Sequence, residues 1–430
     1  MNRRYDLIVY GATGYLGPLI SHHISATAPA TLRWAIAGRN VTKLKALSER
    51  LREAAPHVKP PAFEVAALEP NELDELASKT RLILNLAGPF CKHGTAVVEA
   101  CIRQSTSYID PAGEHTWSHQ IATTLHDRAA AQRVPIIPHC AVESSPPDLM
   151  TFLLLNKIRE HQLTPAGPVY FSIRHPWPGY AGSTIAAILG VLDSFSLSQI
   201  SASSVPLAFC VPGAGPNSAP PVALLPVRHD PFLGHLTFNP SAMTDRAVVM
   251  RTWSLLQRYG EPDAKYGERF SFQGYSHAAN LLQGWLAFLG LSVMTLLVVL
   301  LPPLRTFLAW IAPAPGTGPQ VTKGAKDFVE WRAVMEAQQM SRGRAPQKVR
   351  VTGTMRIDLD PYSCSAVFVA EAALAALEEL GSSKSSSLLN KLQGGVLTPA
   401  SIGPAYVSRL EKAGLQIRLD LEFPGKEKLR

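Results

Sequence analysis

YDLIVYGATGYLGPLISHHIS, residues 5–25, decides how the N-terminal part of this chain folds. Tyr5–Tyr10 is a short apolar run with the character of a buried strand, GATGYLG is a glycine turn, and the residues that follow have helical spacing. Gly11, Gly14 and Gly17 thus form GxxGxxG between a strand and a helix, the setting in which a glycine pattern points to a dinucleotide. Gly11 allows the tight turn, Gly14 lets the backbone approach a pyrophosphate, and Gly17 lets the helix pack close to the strand. The helix N-terminus then faces the phosphates. Thr13 and Tyr15 sit where hydroxyl or amide groups can add hydrogen bonds.

Working outward, LRWAIAGR (Leu32 to Arg39) predicts a second strand, and FEVAAL, RLILNLAGPF, SYID and VPIIPHCAV (Val134 to Val142) predict further short strands separated by helical stretches. Strand alternating with helix means a parallel sheet, so residues 1–140 are expected to be a Rossmann-type domain. The second strand of such a sheet normally ends near an acid that accepts from the ribose 2′-hydroxyl of NAD; here it ends in AGR, with Arg39 and no carboxylate. A guanidinium can hold a 2′-phosphate where a carboxylate would repel it, so Arg39 predicts NADP. NLAGPF closes a later strand, and its small residues Asn85, Ala87 and Gly88 are candidates to lie against the nicotinamide half.

Residues 141–394 are expected to form a substrate domain. SSPPDLMTFLLLNKI opens it as a helix; YFSIRH, VVMRTW and KVRVTGTM resemble strands of a second sheet; 203–240 reads as long loops. AVFVAEAALAALEEL predicts an amphipathic helix, followed by the polar loop SSKSSS. Trp285 to Leu304 carries no charge in twenty residues, the length of a membrane-spanning helix, before Pro302 and Pro303 break it and TFLAWIA (Thr306 to Ala312) follows Arg305. Segment 285–312 is expected to be embedded in or laid on a membrane or lipid-droplet surface without spanning, with a buried helix as the alternative. The fold class is therefore α/β: an N-terminal parallel Rossmann sheet, a second mixed α+β domain and a hydrophobic segment.

Composition excludes several classes. With 430 residues, 46% hydrophobic and 17% charged, the chain is too long for one small module and too apolar for disorder. Lys+Arg 41 against Asp+Glu 33 gives +8, enough to favour anionic ligands or an anionic membrane surface, yet no basic run interleaved with aromatics supports nucleic-acid binding. The five scattered cysteines never form CxxC, so neither a disulfide framework nor a metal site is expected, and the location is intracellular. Only Met1 to Arg4 precede the first strand, which leaves no room for a cleavable signal.

GATGYLG, AGR, NLAGPF with HGTAVVEAC, YIDPAGE (Tyr108 to Glu114) and SSPPDL (Ser144 to Leu149), in that order, resemble the saccharopine dehydrogenase-like oxidoreductases, including the trans-acting enoyl reductases of polyketide and lipid pathways. GSTIAA (Gly182 to Ala187), GTGP (Gly316 to Pro319) and VLTPASIGPAYVSRLEKAGLQI extend the likeness over most of the chain. The resemblance implies NADP, a hydrophobic or acyl substrate, and a C-terminal segment, 395–430, that packs back near the cleft. It leaves a homodimer open. The chain departs from the family where AVESSPPDL stands for GFDSxPxDL, placing Glu143 for Asp and Ala141 for Gly, and where His93 stands for Tyr. His93, Tyr108, Glu114 and His115 follow strand ends and are candidate proton donors, none singled out as catalytic. Three functions compete: an NADP-dependent enoyl or carbonyl reductase, a saccharopine-type amino-acid dehydrogenase, and a non-catalytic dinucleotide-binding protein of a membrane or lipid droplet.

Overall fold

A computed structural model describes residues 3–56, 58–176, 179, 181–219, 225–314, 316–319, 327–340, 346–383 and 385–423. Parts of the expected loops at 203–240 and SSKSSS, and the end of the C-terminal segment, lie outside these residues. The N-terminal region alternates as expected: β1 (Tyr5–Tyr10), α1 (Leu16–Thr27), β2 (Trp34–Gly38), α2 (Val41–Ala54), β3 (Ala62–Val65), α3 (Pro70–Ser78), β4 (Thr80–Asn85), α4 (Phe90–Arg103), β5 (Ser107–Ile109), α5 (His115–Thr124), α6 (His126–Ala131), β6 (Pro135–Ile137) and α7 (Ser145–Glu160). The strands are parallel, in the order β6-β5-β4-β1-β2-β3.

Alternate residues of these strands separate onto two faces, as the two-residue period of a strand requires. Leu7, Val9, Ile36, Leu82 and Leu84 join one apolar core; Ile8, Tyr10, Ala35, Ala37 and Ile83 join another on the opposite face. Burial on both faces explains why these runs are continuously apolar rather than alternating. The last strand is shorter than VPIIPHCAV suggests. It stops at Ile137, because Pro138 cannot continue a ladder and His139 adopts φ +66°, turning the chain toward α7.

The second region runs β7 (Thr164–Pro165), β8 (Val169–Arg174), α8 (Gly182–Ser194), α9 (Leu197–Ser203), β9 (Val227–Asp230), β10 (Gly234–Phe238), α10 (Ala242–Tyr259), β11 (Phe272–Ala278), α11 (Leu281–Leu300), α12 (Pro302–Ile311), β12 (Val329–Gln339), β13 (Gln347–Ile357), α13 (Pro361–Gly381), α14 (Leu388–Leu392), β14 (Gly395–Val396), α15 (Pro404–Lys412) and β15 (Gln416–Glu422). Its sheet has the order β15-β13-β12-β8-β11-β10-β9, with β7 paired to β12, and is mixed: β8 and β11 run parallel, the other pairs antiparallel.

Three expectations for this region are corrected: 203–240, expected as long loops, carries the antiparallel strands β9 and β10, and two further readings change. VVMRTW is no strand but the middle of helix α10. Ala247 to Leu256 are all buried, so the helix shows no contrast between faces, and its Val pair imitates a strand. AVFVAEAALAALEEL is a helix, α13, but almost every residue is buried rather than one stripe. It lies between α1 and α15, and its buried Glu371 accepts from His23 Nε2 (2.7 Å) on α1 and from Arg409 Nε (2.5 Å) on α15.

The chain returns to the first sheet at β14, which adds to the outer edge of β6. Arg251 on α10 fixes this return. Its guanidinium is buried and donates to Val396 O through both Nε (2.9 Å) and Nη2 (2.7 Å), to Phe209 O, and to His126 Nδ1 (3.0 Å). Burial pulls this group down to about 10, still charged at neutral pH. Arg251→Met would fill similar space but leave buried carbonyls unbonded, at about 1–3 kcal/mol each. We expect a lower urea midpoint with an unchanged m-value; an unaltered midpoint would mean the guanidinium contributes nothing net.

His139 sets a pH dependence. Burial holds its imidazole down to about 3, whereas in the unfolded chain it titrates near 6.5. Between those values the unfolded chain binds a proton that the native state refuses, so stability falls as pH drops through this window. His139→Asn, tolerant of a left-handed backbone, should make the slope of unfolding free energy against pH shallower by up to ~1.4 kcal/mol per pH unit. Urea titrations at several acidic pH values check it, and parallel slopes would refute it.

Candidate cofactor and substrate site

The carboxyl ends of β1, β2, β4, β5 and β6 lie along one edge of the parallel sheet, and the order reverses between β1 and β4. Ligands of open α/β sheets bind outside such a reversal. The glycine turn after β1 and the NLAGPF turn after β4 meet there. Gly11 has φ +79°, and a Cβ on it would come within 2.8 Å of the Ala87 backbone nitrogen. A Cβ on Gly17 would lie 2.1 Å from Ala12 O, so only glycine lets α1 seat against its own turn. At Gly14 the nearest atom would be Gly11 O at 3.3 Å, leaving that side of the turn open to an approaching group.

The start of α1 suits an anion. Tyr15 occupies the cap position without a side-chain hydrogen bond to the helix, and no acid stands in the first turn, so the first amides have no side-chain acceptor and carry the positive end of the helix dipole. Tyr15 itself is held from the other side. Its hydroxyl donates to Pro319 O (2.6 Å) in the GTGP segment and its ring packs edge-on against Tyr362, centroids 5.0 Å apart. Thr13 is half-buried beside Gly38, the last residue of β2. Arg39 follows, exposed, and among the described residues no carboxylate pairs with it.

Asn85 is fully buried and its amide is spent on shape: Oδ1 accepts from Ala87 N (3.0 Å) and Nδ2 donates to Tyr108 Oη (3.0 Å). Asn85 thereby folds the turn that leaves Ala87 half-buried and Gly88 exposed at the site. These residues fit a dinucleotide phosphate with a free guanidinium at the second strand end.

Of the four residues weighed as proton donors, three are locked into structure. Tyr108 is fully buried under Asn85. Glu114 is 4% exposed and accepts from the amides of Phe90 and Cys91 (both 2.6 Å), stapling the start of α4. His115 bonds Ser203 O (2.7 Å) and stacks on Phe209, and burial pushes it down to about 4. His93 is half-buried on α4, and burial, with the charges of Lys92 and Arg39, lowers it.

The structure brings forward acids that sequence reading did not single out as a group. Glu143, at the turn into α7, is exposed to solvent yet ringed by protein: a Cβ on Gly113 would lie 3.5 Å from its carboxyl, and Ser241 bonds it. Desolvation raises its carboxyl above the usual range. Behind it the buried Asp245 accepts from Ser144 Oγ (3.2 Å) and Asn239 Nδ2 (3.3 Å), and burial followed by the neighbouring Glu143 holds it well above the usual carboxylate range. Asp110, after β5, accepts from Ala112 N (2.8 Å) and His139 N (3.2 Å), and burial lifts it to about 7. Asp148, in the first turn of α7, takes bonds from Thr252 Oγ1 (2.6 Å) and Ala400 N (2.8 Å), which tie the C-terminal return to this edge. The AVESSPPDL motif holds Glu143 and Asp148 and YIDPAGE holds Asp110, but Asp245 lies about a hundred residues downstream with no motif to announce it.

Comparison with known proteins agrees with this geometry. Residues 7–137 match the saccharopine dehydrogenase NADP binding domain. A Mycobacterium tuberculosis protein whose name assigns it provisionally to the trans-acting enoyl reductases is 28% identical over 450 residues, covering 97% of both chains. Trans-acting enoyl reductases of Mycobacterium leprae and Mycobacterium ulcerans are each 26% identical over 96% of this chain and 97% of their own. Among solved structures, apo saccharopine dehydrogenase (L-Glu forming) of Saccharomyces cerevisiae superposes with a TM-score of 0.52 at 12% identity, covering 96% of this chain and 99% of that one, a likeness of fold. With an NADP-binding domain of the saccharopine dehydrogenase type at residues 7–137 and full-length relatives named as enoyl reductases, the chain is an NADP-dependent oxidoreductase that resembles saccharopine dehydrogenase in fold.

Proposed function

We propose that the chain is an NADPH-dependent reductase of apolar enoyl, or carbonyl, acyl intermediates of lipid or polyketide synthesis, working from the cytoplasmic face of a membrane or lipid droplet. The observation that carries this reading is the likeness, across 96–97% of this chain and 97% of theirs, to proteins named as trans-acting enoyl reductases, one of them provisionally. A saccharopine-type substrate, rich in carboxylates, would call for basic side chains, and the groups gathered at the turn into α7, Glu143 and Asp245, offer none.

In this reading the Gly11–Gly17 turn and the start of α1 hold the pyrophosphate, Arg39 holds the 2′-phosphate, and Ala87 and Gly88 lie against the nicotinamide half. NADPH supplies a hydride when bound. Reduction of a carbon–carbon double bond then needs one proton at the neighbouring carbon, and Glu143, whose carboxyl desolvation raises and which stands in front of Asp245, is the group assigned to donate it. Exclusion of water falls to the GTGP segment over Tyr15 and to α8 across the mouth.

Two outcomes follow for the cofactor. Gly14→Val should abolish NADPH binding in a folded chain. Arg39→Ala should weaken NADPH by about ten- to a hundredfold, as expected for about 1.5–3 kcal/mol from a charged hydrogen bond, and leave NADH nearly unchanged. Fluorescence titration of both cofactors decides; equal loss for the two would remove Arg39 from the phosphate. For the reaction, NADPH oxidation should be measured with 2-enoyl thioesters of increasing chain length. Glu143→Gln should lower kcat with NADPH affinity intact and erase the fall in rate as pH rises through the Glu143 titration. Unchanged kcat would exclude Glu143 as donor, and NADPH binding without turnover of any acyl substrate would overturn the reductase reading.

A further inference from the structure

The chain around α11 enters and leaves the same folded body. Thr237 Oγ1 on β10 donates to Gly284 O (2.7 Å) near the start of α11, and Gly182 N at the head of α8 donates to Thr317 O (3.0 Å) just beyond α12. Strands β11 and β12, which flank the segment, lie in one sheet, separated only by β8. A transmembrane crossing is therefore excluded by topology: both ends stay on one side.

Between those ends the surface is apolar and uncovered. Of α11 only Gly284 is buried, Leu282 is 71% exposed, Leu286 63% and Trp310 on α12 80%. Because α11 is apolar around its whole circumference, a flat protein partner would cover one side and leave the rest in water. A fluid hydrocarbon phase covers all sides. The one charge in the segment is already spent. Arg305 donates through Nε to Val298 O (2.7 Å) and through Nη2 to Val299 O (2.6 Å), carbonyls at the end of α11, so its guanidinium is held at the negative end of that helix.

The same surface continues toward the cofactor. Helix α12 packs on α8, and the carbonyl of Pro313 lies 2.1 Å from where a Gly182 Cβ would be, so the hairpin and the head of α8 touch backbone to backbone. Farther along α8, a Cβ on Gly190 would lie 3.2 Å from Cys91 Sγ and 3.7 Å from Pro89 Cβ, at the turn after β4 that faces the site. Between these contacts α8 presents Ile185, half-buried, and Ile188, 52% exposed.

We propose that α11 and α12 insert as a hairpin into one leaflet of a phospholipid bilayer, and that α8 is the apolar lip over which an acyl chain passes sideways from that leaflet to the cofactor edge at Pro89–Cys91. The insertion stands on the hairpin alone; the route rests on the acyl-reductase reading above. The substrate thus remains in the membrane while its reactive end reaches the site.

The test uses the full chain with vesicles of phosphatidylcholine containing a minority of phosphatidylglycerol and a diazirine-bearing phosphatidylcholine. The protein should float with the vesicles, protease added outside should reach both termini, and photolabel should map to α11, α12 and α8. The double variant Leu286→Asp, Trp310→Asp should lose flotation, while Ile188→Asp should keep flotation and lose the label on α8. A protected C-terminus would mean a span, and a lipid-free dimer that does not float would mean a second copy covers the hairpin; either overturns the insertion. Label on α11 and α12 without α8 overturns the lateral route. None of these readouts depends on turnover, so they fail separately from the reductase reading.

Discussion

Two turns of backbone pressed together at the edge of the first sheet set the terms for the rest of the molecule. Gly11, left-handed, lies so near the Ala87 amide that no side chain can stand between them, and Gly17 brings α1 equally close to Ala12. With α1 fixed in this way, α13 packs along it, and Glu371 on α13 joins His23 on α1 to Arg409 on α15. A constraint of a few backbone atoms thus becomes the seating of three helices, and α15 leads directly into β15 of the second sheet.

The first sheet was readable in sequence because its signals are local. Strand, glycine turn and helix occupy consecutive residues, each β–α unit repeats the pattern, and both faces of the strands are buried, so the apolar runs are unbroken. Arg39 was readable for the same reason: it directly follows a strand end. The second sheet resists such reading because its neighbours are distant. Strand β8 pairs with β11 and β12, each at least about a hundred residues away, and no nearby residue announces either pairing. The Val248–Trp253 stretch misleads for a different cause, since a helix enclosed on every side loses the contrast that gives period 3.6 its meaning.

The site follows the same division. Glycines, Arg39 and the NLAGPF turn stand in short motifs, but the residues that define the substrate side come together only through tertiary contact. The sequence places Asn85 against the nicotinamide half, yet its amide is consumed in forming the turn it sits beneath. Glu114 and His115 likewise act as fasteners at helix starts. Desolvation raises the Glu143 carboxyl, Ser241 from the second region bonds it, and Glu143 in turn raises Asp245, so this chemistry cannot be inferred from neighbours in sequence.

The short strand β14 has a meaning for synthesis on the ribosome. It covers the outer edge of β6, yet it is about 260 residues later in the chain. Until residues 395–396 emerge and Arg251 captures Val396, the nascent N-terminal sheet carries an open edge able to pair with any extended segment nearby, including its own downstream strands. Completion of the dinucleotide fold is thereby delayed until α11 and α12, which precede β14 in the chain, have already been synthesised.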